Sequence, residues 1–249
     1  MRSILISILT LTSFSIFAQY PFEKYPSPTY QKYNNWKRYD WTDTKQAVHH
    51  TLKIDQFFDN KEALTIQLTS FTSNHKTSLI RVFRNNTQIQ KIKEDMIFTT
   101  LNTGHEPIRV ADINGDGLQD LKIITSYLGN GIAGLNVKII YLFQTQNQEF
   151  IKVSFSDMID TDRTERDFDG DGNFEIITMG LNGYDKHNYW TFNIFEYKNE
   201  ELQSANFKDE YPIMIQYLYR KNYEITKKID RQKMKEFALT FPRHYDKRN

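Results

Sequence analysis

The chain has no cysteine, so no disulfide can brace it, and its stability must come from an apolar core, from bound metal, or from both. It also lacks a surplus of charge. The formal net charge is +1, and removal of the first eighteen residues would take away Arg2 and no acid. A dedicated nucleic-acid binder needs a basic face, so this balance argues against one. After the first residues there is no apolar run long enough to span about 30 Å of hydrocarbon. Recognisable catalytic signatures are missing too: no Gly-x-Ser-x-Gly elbow, no phosphate-binding loop, no dinucleotide fingerprint and no His-Glu-x-x-His. Stretches with a helical period are scarce, and Asp230–Leu239 is the best of them.

What is present is a globular composition, with 39% hydrophobic and 14% aromatic residues. A disordered chain would be poorer in both. Tyr, Phe, Ile and Thr are common and favour strands. The opening MRSILISILTLTSFSIFAQY has one Arg, a short apolar stretch broken by Ser and Thr, and Ile16-Phe17-Ala18. It reads as a secretory signal peptide cleaved after Ala18, so the protein is expected to be exported, to the periplasm or the cell surface. With no Cys at that junction, it does not read as a typical bacterial lipoprotein. A mature chain of about 230 residues can bury enough surface to fold without disulfides.

Residues 19–48 form an aromatic lead-in in which Pro21, Pro26 and Pro28 oppose helix and Trp36 and Trp41 are expected to pack on the domain. Short apolar alternations then recur through 49–220, for example Ala63–Leu68, Leu121–Ser126, Val137–Phe143, Phe174–Met179, Trp190–Tyr197 and Ile213–Tyr219, with Gly, Asn or Asp separating many of them. Residues 221–249 form a basic segment, expected as a solvated helix or strand edge, or as a surface for an anionic partner. Asp112 and Asp167, fifty-five residues apart, open near-identical loops. Each loop is followed in the same order by a Tyr-Leu-Phe or Asn-Ile-Phe strand and an Asn-containing turn, at Asn147 and Asn199. Units of about 50 residues in this pattern, near 50–100, 105–158 and 160–208, predict an all-β, propeller-like assembly of antiparallel sheets that is small or incomplete. The first unit carries a degenerate loop at Asp59-Asn60-Lys61-Glu62, and a weak fourth could include Tyr217-Leu218-Tyr219.

The loops carry the chemistry. Asp112, Asn114, Asp116 and Asp120 occupy positions 1, 3, 5 and 9 of the first; Asp167, Asp169, Asp171 and Glu175 occupy them in the second. Calcium takes about six to eight oxygens at about 2.3–2.6 Å, and a tightly turning backbone can aim alternate side chains at one centre. Gly117 and Gly172 permit the bend. The carbonyls of Leu118 and Asn173, at position 7, are the candidate backbone donors. An EF-hand would need a bidentate Glu at position 12, where this chain has Ile123 and Thr178, so the position-9 acid must close the coordination.

The pattern Asp-x-Asp/Asn-x-Asp-Gly-x-x-Asp/Glu leading into a strand resembles the FG-GAP/VCBS repeat family over about residues 105–205. That resemblance implies β-propeller blades with calcium in hairpin loops, and a non-enzymatic module for a protein or glycan partner, with about two bound calcium ions. The Phe-Gly…Gly-Ala-Pro signature of the family is absent. Two alternatives stand beside it. The Asp-loop, strand and Tyr-Leu-Phe order is also similar to small periplasmic calcium-binding proteins related to I-type lysozyme inhibitors. A calcium-dependent polysaccharide hydrolase would draw on His105 or on Asp157, Asp160 and Asp162, which otherwise read as solvated acids. His49 and His50, adjacent on a strand, should face opposite ways.

Overall fold

A computed structural model describes residues 19–33, 47–58, 60–71, 74–95, 98, 108–127, 129–159, 163–208, 210–217 and 222–248. The strands are β1 (Gln31–Tyr33), β2 (Ala47–Ile54), β3 (Leu64–Phe71), β4 (Asn74–Arg84), β5 (Thr87–Glu94), β6 (Ile108–Ala111) and β7 (Asp120–Ser126). They continue with β8 (Asn136–Gln144), β9 (Phe150–Met158), β10 (Ile176–Tyr184), β11 (His187–Lys198), β12 (Glu201–Ser204), β13 (Ile213–Gln216) and β14 (Asp246–Arg248). One short helix, α1 (Arg231–Lys235), starts at Asp230, whose side chain accepts from the Lys233 amide at 2.8 Å. The apolar period that suggested a helix to Leu239 therefore supports only its first part.

Local chemistry explains the meanders. β4 and β5 are joined by Asn85-Asn86, β10 and β11 by Asp185-Lys186, and β11 and β12 by Asn199-Glu200. Both residues of each pair have positive φ, the geometry of two-residue hairpin turns that match strand twist. Asn and Asp tolerate it because their short polar side chains bond locally.

The result is all-β. The first sheet is β2-β3-β4-β5, the second is β1-β6-β7-β8-β9-β14, and in the third β10 and β11 are followed by β12 and β13, which share the far edge of β11 end to end. All pairings are antiparallel. One core joins the first two sheets, with Leu64, Ile66 and Ile80 against Leu121, Ile123 and Ile140. A second joins the next two, with Ile139, Tyr141 and Phe143 against Ile176, Phe195 and Tyr197. The second sheet is thus covered on both faces, and β8 is buried over residues 137–144, with a continuous apolar run at residues 139–143, because both of its faces are interior. The sheets stack in chain order as an open, propeller-like assembly, and no closed ring forms among the described residues. Among the described residues there is no fourth sheet: β13 pairs with β11 in the third, and Leu218 and Tyr219 of the suspected fourth unit lie outside the described residues. So do the leader, Trp36, Trp41, Asp59 and His105. No described helix is long and apolar enough to cross a membrane.

Both chain ends serve the middle sheet. β1, from the lead-in, pairs with β6, and β14, from the basic segment, pairs with β9. The lead-in also sends Tyr20 and Phe22 onto the outer face of the third sheet, against Phe192.

Each boundary between sheets holds a buried acid. Between the first and second sheets, Glu94 meets Lys152 at 2.9 Å and Lys138 at 3.5 Å. Between the second and third, Glu165 accepts from Lys122 at 2.6 Å and from the hydroxyls of Tyr30 and Tyr141. Burial pushes the Glu165 carboxyl up, but the Lys122 charge and the hydrogen bonds from Lys122, Tyr141 and Tyr30 outweigh it and hold the group below the usual glutamate range. Asp157 is a correction to the sequence reading. It is not a solvated acid but 6% exposed, with a carboxylate that receives the Arg163 guanidinium. Asp160 and Asp162 lie outside the described residues.

Removing one partner of a buried pair strands the other charge, at about 3–5 kcal/mol, whereas replacing both with apolar groups is often neutral. Glu165→Leu should therefore destabilise the protein by about 3–5 kcal/mol, and Lys122→Met with Glu165→Leu should recover most of the loss. Urea denaturation checks this. A loss below about 1 kcal/mol in the single variant would show that water already reaches the pair.

Candidate metal centre

Both Asp-rich loops close antiparallel strand pairs in the same register. Ala111 pairs with Asp120 across the first loop, and Arg166 forms a bridge with Glu175 across the second. The position-9 acid is therefore the first residue after the turn to meet the opposite strand, which fixes its side chain beneath the loop.

The internal hydrogen bonds repeat as well. The position-1 acid accepts two loop amides: Asp112 from Gly115 at 2.8 Å and Gly117 at 2.9 Å, and Asp167 from Gly170 at 2.6 Å and Gly172 at 3.2 Å. The position-5 acid accepts from the position-7 amide, Asp116 from Leu118 at 2.8 Å and Asp171 from Asn173 at 2.9 Å. The position-9 acid accepts from the position-2 amide, Asp120 from Ile113 at 2.9 Å and Glu175 from Phe168 at 3.0 Å. A carboxylate has about four lone-pair sites, so an oxygen that accepts one amide can still face a cation.

The loops differ at position 3. In the first, the Asn114 amide donates to Asp116 at 3.0 Å, which turns these two side chains toward each other. In the second, Asp169 receives the Lys208 ammonium, and that contact holds its carboxyl below the usual range. Asp167, Asp169 and Glu175 bring carboxylate oxygens within 4.8 Å of one another. Among the described residues they form the one such set; Asp171 and the acids of the first loop stand outside it. At position 7, Leu118 is buried, while the Asn173 amide donates to the Tyr197 carbonyl at 3.1 Å and its own Oδ1 is buried without a partner.

The donor set suits a hard cation. It consists of oxygens alone, and it is costly to order without one. Burial, with the Asp169 charge adding to it, pushes the Glu175 carboxyl up to about 7. Burial, with Asp116 and Asp112 adding to it, pushes Asp120 up to about 8. These are the shifts expected of acids confined near other acids.

Several participants carry no motif in the sequence. Gly115 lies against the second loop, where a Cβ would come within 2.7 Å of the Gly172 carbonyl oxygen. The Phe174 amide donates to the Ile113 carbonyl at 2.9 Å, so the two loops form one unit. The Asp167 amide donates to Pro26 of the lead-in at 3.0 Å. Lys208 comes from the turn after β12. Only the duplication of the loops hinted at such pairing. The degenerate first-unit loop has Glu62 bound by Arg84, so a protein cation already engages its acid. His49 is exposed and His50 buried, on opposite faces of β2 as expected. No family model matches the chain, nor does any curated protein or solved structure.

Gly115 and Gly117 both have positive φ, but a Cβ at Gly117 meets nothing within 4 Å. Gly117→Ala should cost about 1–2 kcal/mol, the ordinary left-handed penalty. Gly115→Ala should cost clearly more and should loosen both loops, as read by urea denaturation and amide exchange. Equal costs would mean that the loops do not bear on each other.

The raised carboxyls fix the sign of a pH effect. Folded values of about 7 for Glu175 and about 8 for Asp120 lie above unfolded values of about 4. The folded state thus holds protons that the unfolded state has released, and stability falls as pH rises through that window. Protein kept in chelator should be more stable near about pH 5 than about pH 8. Calcium should shrink the difference. A chelator-treated protein that gains stability over this range would contradict the assignment.

Proposed function

We propose that this protein is an exported calcium-binding repeat protein that acts as a binding or interaction module, with calcium holding its loops rather than performing chemistry. The observation that carries the reading is the second loop, in which Asp167, Asp169 and Glu175 lie within 4.8 Å on a turn whose hydrogen bonds duplicate those of the first. A calcium ion there would take carboxylate oxygens of these residues, with Asp171 and the Asn173 carbonyl completing the set, and would displace the Lys208 ammonium from Asp169. The first loop, with Asp112, Asn114, Asp116, Asp120 and the Leu118 carbonyl, would take a second ion after Asn114 releases Asp116. The pattern and the stacked antiparallel sheets support membership of the FG-GAP/VCBS repeat family. The buried ion pair of Asp157 with Arg163 leaves the hydrolase alternative without one of its acids.

A ligand present at about 100 times its Kd stabilises the folded state by about 2.7 kcal/mol. For a chain of this size each kcal/mol moves the melting temperature by about 2–4 °C, so each occupied site should add about 5–10 °C over the chelated protein and two sites about 10–20 °C in millimolar calcium. Mass spectrometry under native conditions should count about two calcium ions. Asp169→Ala should remove one ion and about half of the shift. A protein that binds no calcium and melts at one temperature in both buffers overturns the proposal.

A further inference from the structure

The inner face of the third sheet changes character along its length. At one end the cross-strand pair Ile176 and Phe195 is buried in the core shared with the middle sheet. Farther along, the pairs on the same face are Thr178 with Asn193 and Gly180 with Thr191, followed by Asn182 with Tyr189. Small and hydroxyl-bearing side chains replace the apolar ones there. Of the middle sheet, Ser156 of β9 lines this end, and residues 236–239 with Arg243 form the opposite wall. The space left between them is a cleft of about 200 Å³.

Three features show that the cleft is built. Gly180 is a strand glycine whose missing side chain admits the Arg243 guanidinium, since a Cβ would come within 2.9 Å of it. Glycine within a strand weakens it and marks a close approach. Arg243 donates to Asn182 Oδ1 at 3.3 Å and has no carboxylate partner among the described residues. On the floor, Thr191 is 1% exposed and its hydroxyl has no hydrogen-bond partner, an arrangement that costs folding free energy unless something else satisfies it. The backbone of the wall is pinned: the Ser156 amide donates to the Arg243 carbonyl at 2.8 Å, and the Leu239 amide to Asn193 at 2.9 Å.

We propose that this cleft binds a small hydroxylated carboxylate of the size of one acidic sugar. Among the described residues, Arg243 is the only cation lining the cleft, and its planar fork fits one carboxylate. Glu236, the one acid on the lining among the described residues, is bonded to Lys233 at 2.6 Å and disfavours a dianion such as phosphate. Thr191, Thr178 and Asn182 supply donors and acceptors for sugar hydroxyls, and Phe237 and Leu239 offer an apolar wall for the ring. The site is separate from the Asp-rich loops and does not depend on calcium.

Calorimetric titration of the full chain with D-glucuronate, D-glucose and inorganic phosphate tests the proposal, each in calcium and again in chelator. Glucuronate should bind in both buffers; glucose, which lacks the carboxylate, should be at least about tenfold weaker, the loss expected when a charged hydrogen bond goes unmade, and phosphate, which lacks the ring and hydroxyl contacts and meets Glu236, should be weaker as well. Arg243→Gln should weaken glucuronate by a similar factor, and Gly180→Ala should do the same by displacing the guanidinium. Thr191→Val should hold or raise the melting temperature yet weaken binding, an outcome a purely structural hydroxyl would not give. A glucuronate tetramer that binds more tightly than the monomer assigns the ligand to an anionic polysaccharide; equal affinity assigns it to the free sugar acid. Absence of glucuronate binding at about 50 mM, equal affinity for glucose, tighter binding of phosphate, or full affinity in Arg243→Gln overturns the proposal.

Discussion

The buried carboxylates between the sheets are the constraint on which the rest of the structure depends. A sheet covered on both faces would ordinarily be apolar throughout, yet the middle sheet places Lys122, Lys138 and Lys152 in the interior. Each must meet an acid from a neighbouring sheet or segment, and Glu94 and Glu165 provide that contact. Such pairs contribute little net stability compared with apolar residues. What they supply is direction. A slip of one residue in β7 or β8 would turn a lysine to the wrong face and leave both it and its acid unpaired. In a chain without disulfides, these contacts select one stacking of the sheets.

Glu165 also sets the position of the second loop. It lies two residues before Asp167, and it is bonded to β7, to β8 and to Tyr30 of the lead-in. Arg166, between them, donates to the Tyr25 carbonyl at 2.9 Å, and Asp167 donates its amide to Pro26. Each of the three residues entering the loop is therefore tied to the lead-in, and Glu165 to the middle sheet as well. The first loop is entered from β6, which pairs with β1 of the lead-in, and it leans on the second through Gly115 and Ile113. An ion in the second loop would thus order the surface on which the first is built.

Much of this was legible in the sequence, and the legible parts share a cause. Alternating apolar residues gave the strands and the all-β class because burial enforces a period of two. The Asp and Gly spacing gave both loops and their matched register because a tight turn leaves few arrangements of side chains. Asn147 and Asn199 marked turns for the same reason. The interior charges were not legible. Lys122, Lys138 and Lys152 look like exposed positions, and only the stacking of sheets on both faces makes them interior, Lys138 and Lys152 against the first sheet and Lys122 against the third. Asp157 was misread for this reason: its partner Arg163 is near in sequence, but the burial of both depends on sheets formed elsewhere. Gly180 and Arg243, sixty-three residues apart, carry no local pattern that would join them.

The ends of the chain complete the same logic. An open stack of sheets exposes edges, and the middle sheet meets that problem with short strands from both termini, β1 on one side and β14 on the other. β14 also brings Asp246 to Lys152 at 2.6 Å, and Arg248 to the Lys93 carbonyl at 3.1 Å. The C-terminal strand therefore closes the charge network between the first two sheets, just as Tyr30 closes the one between the second and third. The basic tail is a strap that joins the charge network where the first two sheets meet, and its path across the third sheet leaves Arg243 over Gly180 with no carboxylate partner among the described residues.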